Sequence, residues 1–132
     1  MLSLRRCVFL LACVALWSVQ SPLVADSRDQ RLDLYFIDVE GGAATLIVTP
    51  GDESILIDSG YPDNSGRDLN RILHVLRDVA GRKHLDHAVV THWHLDHYGN
   101  HAALAGQIEV KHFWDRGLPD ALPEDPRYGE RI

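Results

Sequence analysis

Cysteine is scarce in this sequence. Of 132 residues only Cys7 and Cys13 are cysteine, and both lie close to the N-terminus. No apolar run reaches the ~20 residues that a membrane-spanning helix needs, and the longest, from Cys7 to Trp17, is much shorter. Internal repeats and low-complexity segments are also absent. The chain is long enough for one small domain and too short for two.

The first 25 residues have the layout of a secretory signal peptide. Arg5 and Arg6 precede the apolar run, and small and polar residues follow it up to Ala25, where we expect cleavage. The predicted location is periplasmic or secreted, with no stable membrane insertion after cleavage. An uncleaved anchor and a lipoprotein site at Cys13 are the alternatives. Cleavage removes both cysteines, which excludes disulfides and thiolate metal sites in the mature chain.

Acidic residues outnumber basic ones. Lys and Arg total 13 and Asp and Glu total 19, a net charge of −6. Loss of Arg5 and Arg6 with the signal peptide leaves 11 basic residues and a charge of −8. Nucleic-acid binding depends largely on Lys and Arg contacts to phosphates, so a nucleic-acid partner is not expected. The charge does not indicate an oligomeric state.

Residues 31–132 have the pattern of one α/β domain. Alternating apolar residues and turn signals predict three short strands joined as an antiparallel meander, in "RLDLYFIDV", "ATLIVT" and "ESILID". Helical spacing from Leu69 to Ala80 follows, with Ser65 and Asp68 as a capping box and Gly81 as the stop. Next we expect a buried strand in "LDHAVVT", a short helix in "YGNHAALAG" and a fifth strand in "QIEVKHFW". The remaining segment is rich in proline and is predicted to be a loop.

Three histidines and an aspartate directly follow the predicted buried strand, in "THWHLDH". Alternate residues at a strand end can point the same way, so His92 and His94 can share one metal ion. Asp96 and His97 can supply a second ion where the loop enters the next helix. Imidazole and carboxylate ligands suit zinc, and also manganese or iron. Two such ions can activate water for hydrolysis, whereas a merely histidine-rich polar loop would bind no metal.

"THWHLDH" resembles the His-x-His-x-Asp-His motif of the metallo-β-lactamase superfamily. "ILIDSG" looks like the acidic strand end of that superfamily, and "FIDVEGGAATLIV" is similar to its competence-related subset. The resemblance implies an αββα sandwich, two zinc ions per full-length domain, and hydrolysis of a small-molecule substrate. It implies His92, His94, Asp96 and His97 as metal ligands and Asp96 as the catalytic proton acceptor. Asp58 would support the metal loop through hydrogen bonds, or would alternatively be an ordinary turn residue.

The superfamily also needs ligands from further along the chain. No histidine follows His112, which lies on the predicted fifth strand. We expect His101 to be a solvated helix residue rather than a ligand, and His74, His84 and His87 to be exposed or locally hydrogen-bonded. The sequence therefore predicts only the N-terminal half of the superfamily fold, a truncated domain that does not turn over substrate by itself.

Two functions follow from this interpretation. The first is an exported metal-dependent hydrolase acting on a small ester, lactone or phosphodiester; a β-lactamase or thioesterase type uses the same motif. The second is a catalytically inactive metal-binding or interaction protein.

Overall fold

A computed structural model describes residues 30–62, 65–122, 125–127 and 129. Its five strands are β1 (Asp33–Phe36), β2 (Thr45–Val48), β3 (Ser54–Ile57), β4 (His84–Val89) and β5 (Glu109–Trp114). Its α-helices are α1 (Arg67–His74), α2 (Leu95–Tyr98) and α3 (His101–Ala105), and a π-helical segment, Val75–Val79, continues α1. The predicted signal peptide lies outside the described residues.

The five strands form one mixed sheet in chain order. β1, β2 and β3 pair antiparallel, which confirms the predicted meander, and β3, β4 and β5 pair parallel. Parallel neighbours need crossover connections, and the helices supply them. The α/β prediction is confirmed, and the described residues form a single sheet with helices.

The core lies where the helices pack against one face of the sheet. Leu46, Leu56 and Ala88 on three neighbouring strands are fully buried with Ile72 of α1 and Leu104 of α3. Full burial of such side chains contributes about 1.5–3 kcal/mol each. The helical spacing predicted from Leu69 to Ala80 therefore marks a real core-facing stripe.

Large apolar side chains at both edges of the sheet are exposed. Phe36 of β1 is 82% exposed and Trp114 of β5 is 55% exposed. They belong to one register row, which runs from Phe36 through Thr45, Ile57 and Val89 to Trp114. This sheet face is less covered than the face that carries the core.

The predicted capping box is wrong. The residue that begins α1 is Gly66, in the left-handed region at φ 69°, and it makes no side-chain cap hydrogen bond. Asp68 instead turns into the protein and is 1% exposed. It accepts hydrogen bonds from the backbone N–H groups of Glu40 (3.0 Å) and Tyr61 (3.1 Å) and from Arg67 Nε (3.0 Å). Asp68 thus joins α1 to the loops that follow β1 and β3.

We expect Asp68→Ala to lower the free energy of unfolding by about 3 kcal/mol, because it leaves several donors of this network without their acceptor. Denaturant unfolding measures the change. Asp78→Ala is the matched control, since Asp78 lies in the π-helical segment that continues α1 and its side chain is 68% exposed. Its effect should stay within about 0.5 kcal/mol. Equal losses in the two variants would contradict the assigned role of Asp68.

No helix among the described residues is long and apolar enough to cross a membrane. Of the predicted loop after β5, the described part contains no strand and no α-helix. Gly81 adopts φ 65° just after the π-helical segment, as expected for a residue that ends a helix.

Candidate metal centre

The four predicted metal ligands lie at the C-terminal end of β4 and in the first turn that follows. His92 and His94 belong to the connection after the strand, whereas Asp96 and His97 lie in the short helix α2. Ligand sites of open α/β sheets form at this end of parallel strands. The four residues therefore all lie just beyond the C-terminal end of β4.

The His92 ring contacts the rings of both His94 and His97. The ring centroids of His92 and His94 are 4.5 Å apart, and those of His92 and His97 are 4.0 Å apart. Burial, followed by the charges of His97 and His94, lowers the pKa of His92. A lower pKa favours the neutral ring, which is the form that binds a metal ion.

Asp58 holds this loop from the end of β3. It is 2% exposed, and its carboxylate accepts hydrogen bonds from Thr91 N (2.9 Å), Thr91 Oγ1 (2.7 Å) and His97 Nδ1 (2.8 Å). Its own backbone has φ 59°, a region that aspartate and asparagine enter more readily than most residues. The strand end thereby fixes both the start of the loop and one of the predicted ligands.

These hydrogen bonds also determine which nitrogen of each ring carries the hydrogen. Because His97 donates its Nδ1 hydrogen to Asp58, a neutral His97 ring keeps a lone pair on Nε2. Thr91 gives its hydroxyl hydrogen to Asp58, so its oxygen can accept from His92 Nδ1 at 3.0 Å. His92 then also presents an unprotonated Nε2. Asp58 thus leaves Nε2 without a hydrogen on two neutral imidazoles, one directly and one through Thr91.

The structure does not bring the four predicted ligands together into one complete metal site. Among the described residues, no three His, Cys, Asp or Glu side chains form a ready-made site for one ion. His97 Nε2 and Asp96 Oδ2 are 3.8 Å apart, close to the about 3.3 Å that separates two ligands of one tetrahedral zinc ion. The chemistry of the four side chains fits zinc, and Asp96 and His97 lie close enough together to share one ion.

Several residues that position α2 carried no functional signal in the sequence. Ser59 N and Oγ both donate to the His97 carbonyl, at 2.6 and 3.1 Å. The Asn100 side chain donates to the Ser59 carbonyl at 2.7 Å and to the Tyr61 carbonyl at 3.0 Å. Small polar residues in loops are common, so only the structure identifies these contacts.

Gly42 packs directly against Asp96 of α2. A Cβ atom there would lie 1.8 Å from the Asp96 carbonyl oxygen, and its φ is 65°. No other residue fits without moving α2. The "EGG" segment between β1 and β2 thus packs against the helix that carries Asp96 and His97.

The prediction for His101 is wrong. This residue is 5% exposed rather than solvated, since it begins α3 against the sheet. The remaining histidines are exposed or locally bonded as expected: His74 contacts Asp78 at 2.8 Å, His84 contacts Asp86 at 3.1 Å, and His87 accepts from Trp114 Nε1 at 3.0 Å.

Comparison with known proteins assigns the family. No curated protein and no solved structure matches the chain. Residues 37–132 match the family model described as the metallo-beta-lactamase superfamily, and this match includes every strand from β2 to β5 and the whole histidine loop. The chain therefore belongs to the metallo-beta-lactamase superfamily and has the fold of metal-dependent hydrolases.

Proposed function

We propose that this chain carries the metal-binding loop of a hydrolase that acts on a small ester, lactone or phosphodiester. The observation that supports it is the cluster of three imidazole rings after β4, two of which Asp58 orients, directly or through Thr91. The proposed ligands are His92 and His94 for one ion and Asp96 and His97 for the other.

Zinc is the proposed metal, with manganese or iron as alternatives that accept the same ligands. When bound, such ions supply Lewis acidity that activates water and polarises a substrate oxygen. Asp96 is the proposed acceptor of the proton from the attacking water, because its carboxylate lies beside His97 and is partly exposed. Asp58 keeps the imidazoles in the required tautomer and takes no part in proton transfer.

The substrate class follows from charge. The 132-residue sequence has a net charge of −6, which disfavours the phosphate contacts that long nucleic acids require. We therefore propose a small molecule rather than the DNA that a competence-related role would imply.

The test measures zinc binding and hydrolysis on the same samples of the 132-residue chain. Zinc should bind at pH 7.5 and be released as the pH is lowered, because protonated imidazole cannot coordinate a metal. Absence of binding at pH 7.5 would contradict the proposal. Turnover of ester, lactone, β-lactam and phosphodiester substrates should equal that of His94→Ala, since each ion has two protein ligands where catalytic zinc sites have three. Turnover well above His94→Ala would show that four ligands suffice.

A non-catalytic metal-binding or interaction protein is the second candidate. The observation that favours it is that no three His, Cys, Asp or Glu side chains among the described residues form a site for one ion. Further metal ligands in the native reading frame beyond Ile132 would support the hydrolase, and a native reading frame without them would support this candidate.

We also propose export, with location in the periplasm or outside the cell. The support is the sequence pattern of Arg5, Arg6 and the apolar run that follows. N-terminal sequencing of the protein from its native host should give a mature chain that begins near Asp26. A cytoplasmic protein that begins at Met1 would contradict the proposal.

A further inference from the structure

A cavity of about 490 Å³ lies between α3 and β5, beside the loop that contains His92 and His94. Its walls are mostly apolar, and four aromatic side chains contribute to them: Trp93, Tyr98, Phe113 and Trp114. Small-molecule sites in proteins have this size and this predominance of apolar and aromatic groups.

His101 supplies a buried polar group to this cavity. It is 5% exposed and lines the cavity, with its ring centroid 6.3 Å from that of Phe113. Neither ring nitrogen has a well-aligned hydrogen bond with any residue that the structure describes, although the Tyr98 backbone lies close enough for a poorly aligned one. Burial lowers the pKa of His101 to about 4, although the Tyr98 backbone and the Asp58 charge act in the opposite direction. The ring is therefore neutral at pH 7 and offers one donor and one acceptor.

We propose that this cavity binds a small uncharged molecule with an aromatic or aliphatic body and one hydroxyl group. An unpaired buried imidazole is costly, and a ligand that hydrogen-bonds to it removes that cost. A hydroxyl group can both donate and accept, which matches either tautomer of the ring. Asp115 also lines the cavity, and its negative charge disfavours an anionic ligand.

This cavity is distinct from the proposed metal centre. Trp93 lies between His92 and His94 in the sequence, and Tyr98 follows His97. None of these histidines, however, lines the cavity. The side chains that line the cavity are therefore not the side chains proposed to bind the metal. The cavity proposal does not depend on metal binding.

Calorimetric titration of the 132-residue chain with p-cresol and with toluene tests the proposal. The two probes have nearly the same body and differ by one hydroxyl group. We expect saturable binding of p-cresol and about five-fold weaker binding of toluene, the difference that one net hydrogen bond makes. His101→Phe keeps an aromatic ring without nitrogens, so it should bind the two probes equally.

A matched pair on α3 tests the cavity itself. Ala105 lines the cavity and Ala103 does not, although both are exposed on the same helix. Ala105→Leu should weaken p-cresol binding by about ten-fold or more by filling the space, and Ala103→Leu should leave it unchanged. The His92→Ala, His94→Ala variant should bind p-cresol like the original chain. Absent p-cresol binding, a hydroxyl preference that survives His101→Phe, or equal effects of the two leucine variants would overturn the proposal.

Discussion

Replacing His92 and His94 together by alanine is expected to lower the zinc affinity of the chain by more than about 100-fold. Loss of a hydrogen-bonding partner behind a ligand already costs 10–100-fold in related sites, and this change removes two of the four proposed ligands themselves. It also removes the ring contact between His92 and His94 and the ring contact between His92 and His97. Calorimetry at pH 7.5 measures the affinity.

The control for this change is His74→Ala. His74 is a histidine of helix α1 with its side chain 65% exposed, and its hydrogen-bond partner is Asp78. Its loss should leave zinc affinity unchanged, which separates the loop from adventitious binding to surface imidazoles. Equal zinc affinity in the original chain and the double variant would refute the ligand assignment.

The second large effect is expected for Asp58→Asn, which should weaken zinc binding by about 10–100-fold. Asparagine tolerates the φ of 59° at this position, so the backbone can keep its conformation. Its amide group, however, has one acceptor oxygen in place of two. An amide N–H directed at His97 Nδ1 would leave the hydrogen on Nε2, the nitrogen that has to bind the metal. Calorimetry gives the affinity, and nitrogen chemical shifts of the His97 ring report the tautomer.

Asp52→Asn is the matched control for Asp58→Asn. Asp52 also has a positive φ, 71°, but it is exposed in the turn between β2 and β3 and bonds to Arg82. Zinc affinity and the His97 tautomer should not change in this variant. If both aspartate variants bind zinc like the original chain, Asp58 is only a turn residue.

The order of strands and helices follows from sequence patterns because local signals are strong here. Alternation predicts the first three strands, and the turn around Pro50 and Gly51 predicts that β2 and β3 pair antiparallel, as they do. The start of α1 does not follow from its sequence, since Ser65 and Asp68 have the spacing of a capping box. Asp68 is instead buried by contacts from residues 28 and 7 positions earlier in the chain, and long-range contacts leave no local pattern.

The candidate site also has one part that the sequence predicts and another that it does not. The histidine loop is recognisable because its chemistry lies in seven consecutive residues. The hydrogen bonds that position the loop join residues about 40 positions apart, such as Ser59 and Asn100, so their role cannot be derived from spacing. The burial of His101 escaped prediction because short helices with small residues can lie either at the surface or against a sheet.

X-ray absorption at the zinc edge of the 132-residue chain, loaded with two equivalents of zinc, tests the divided metal centre most directly. We expect nitrogen and oxygen ligands at about 2.0–2.2 Å, imidazole scattering that decreases in the His92→Ala, His94→Ala variant, and a second zinc ion about 3.5–4 Å away. Sulfur at about 2.3 Å would assign the metal to Cys7 and Cys13. Sulfur ligands, or a spectrum that is unchanged in the double variant, would contradict the assignment of His92 and His94 as metal ligands.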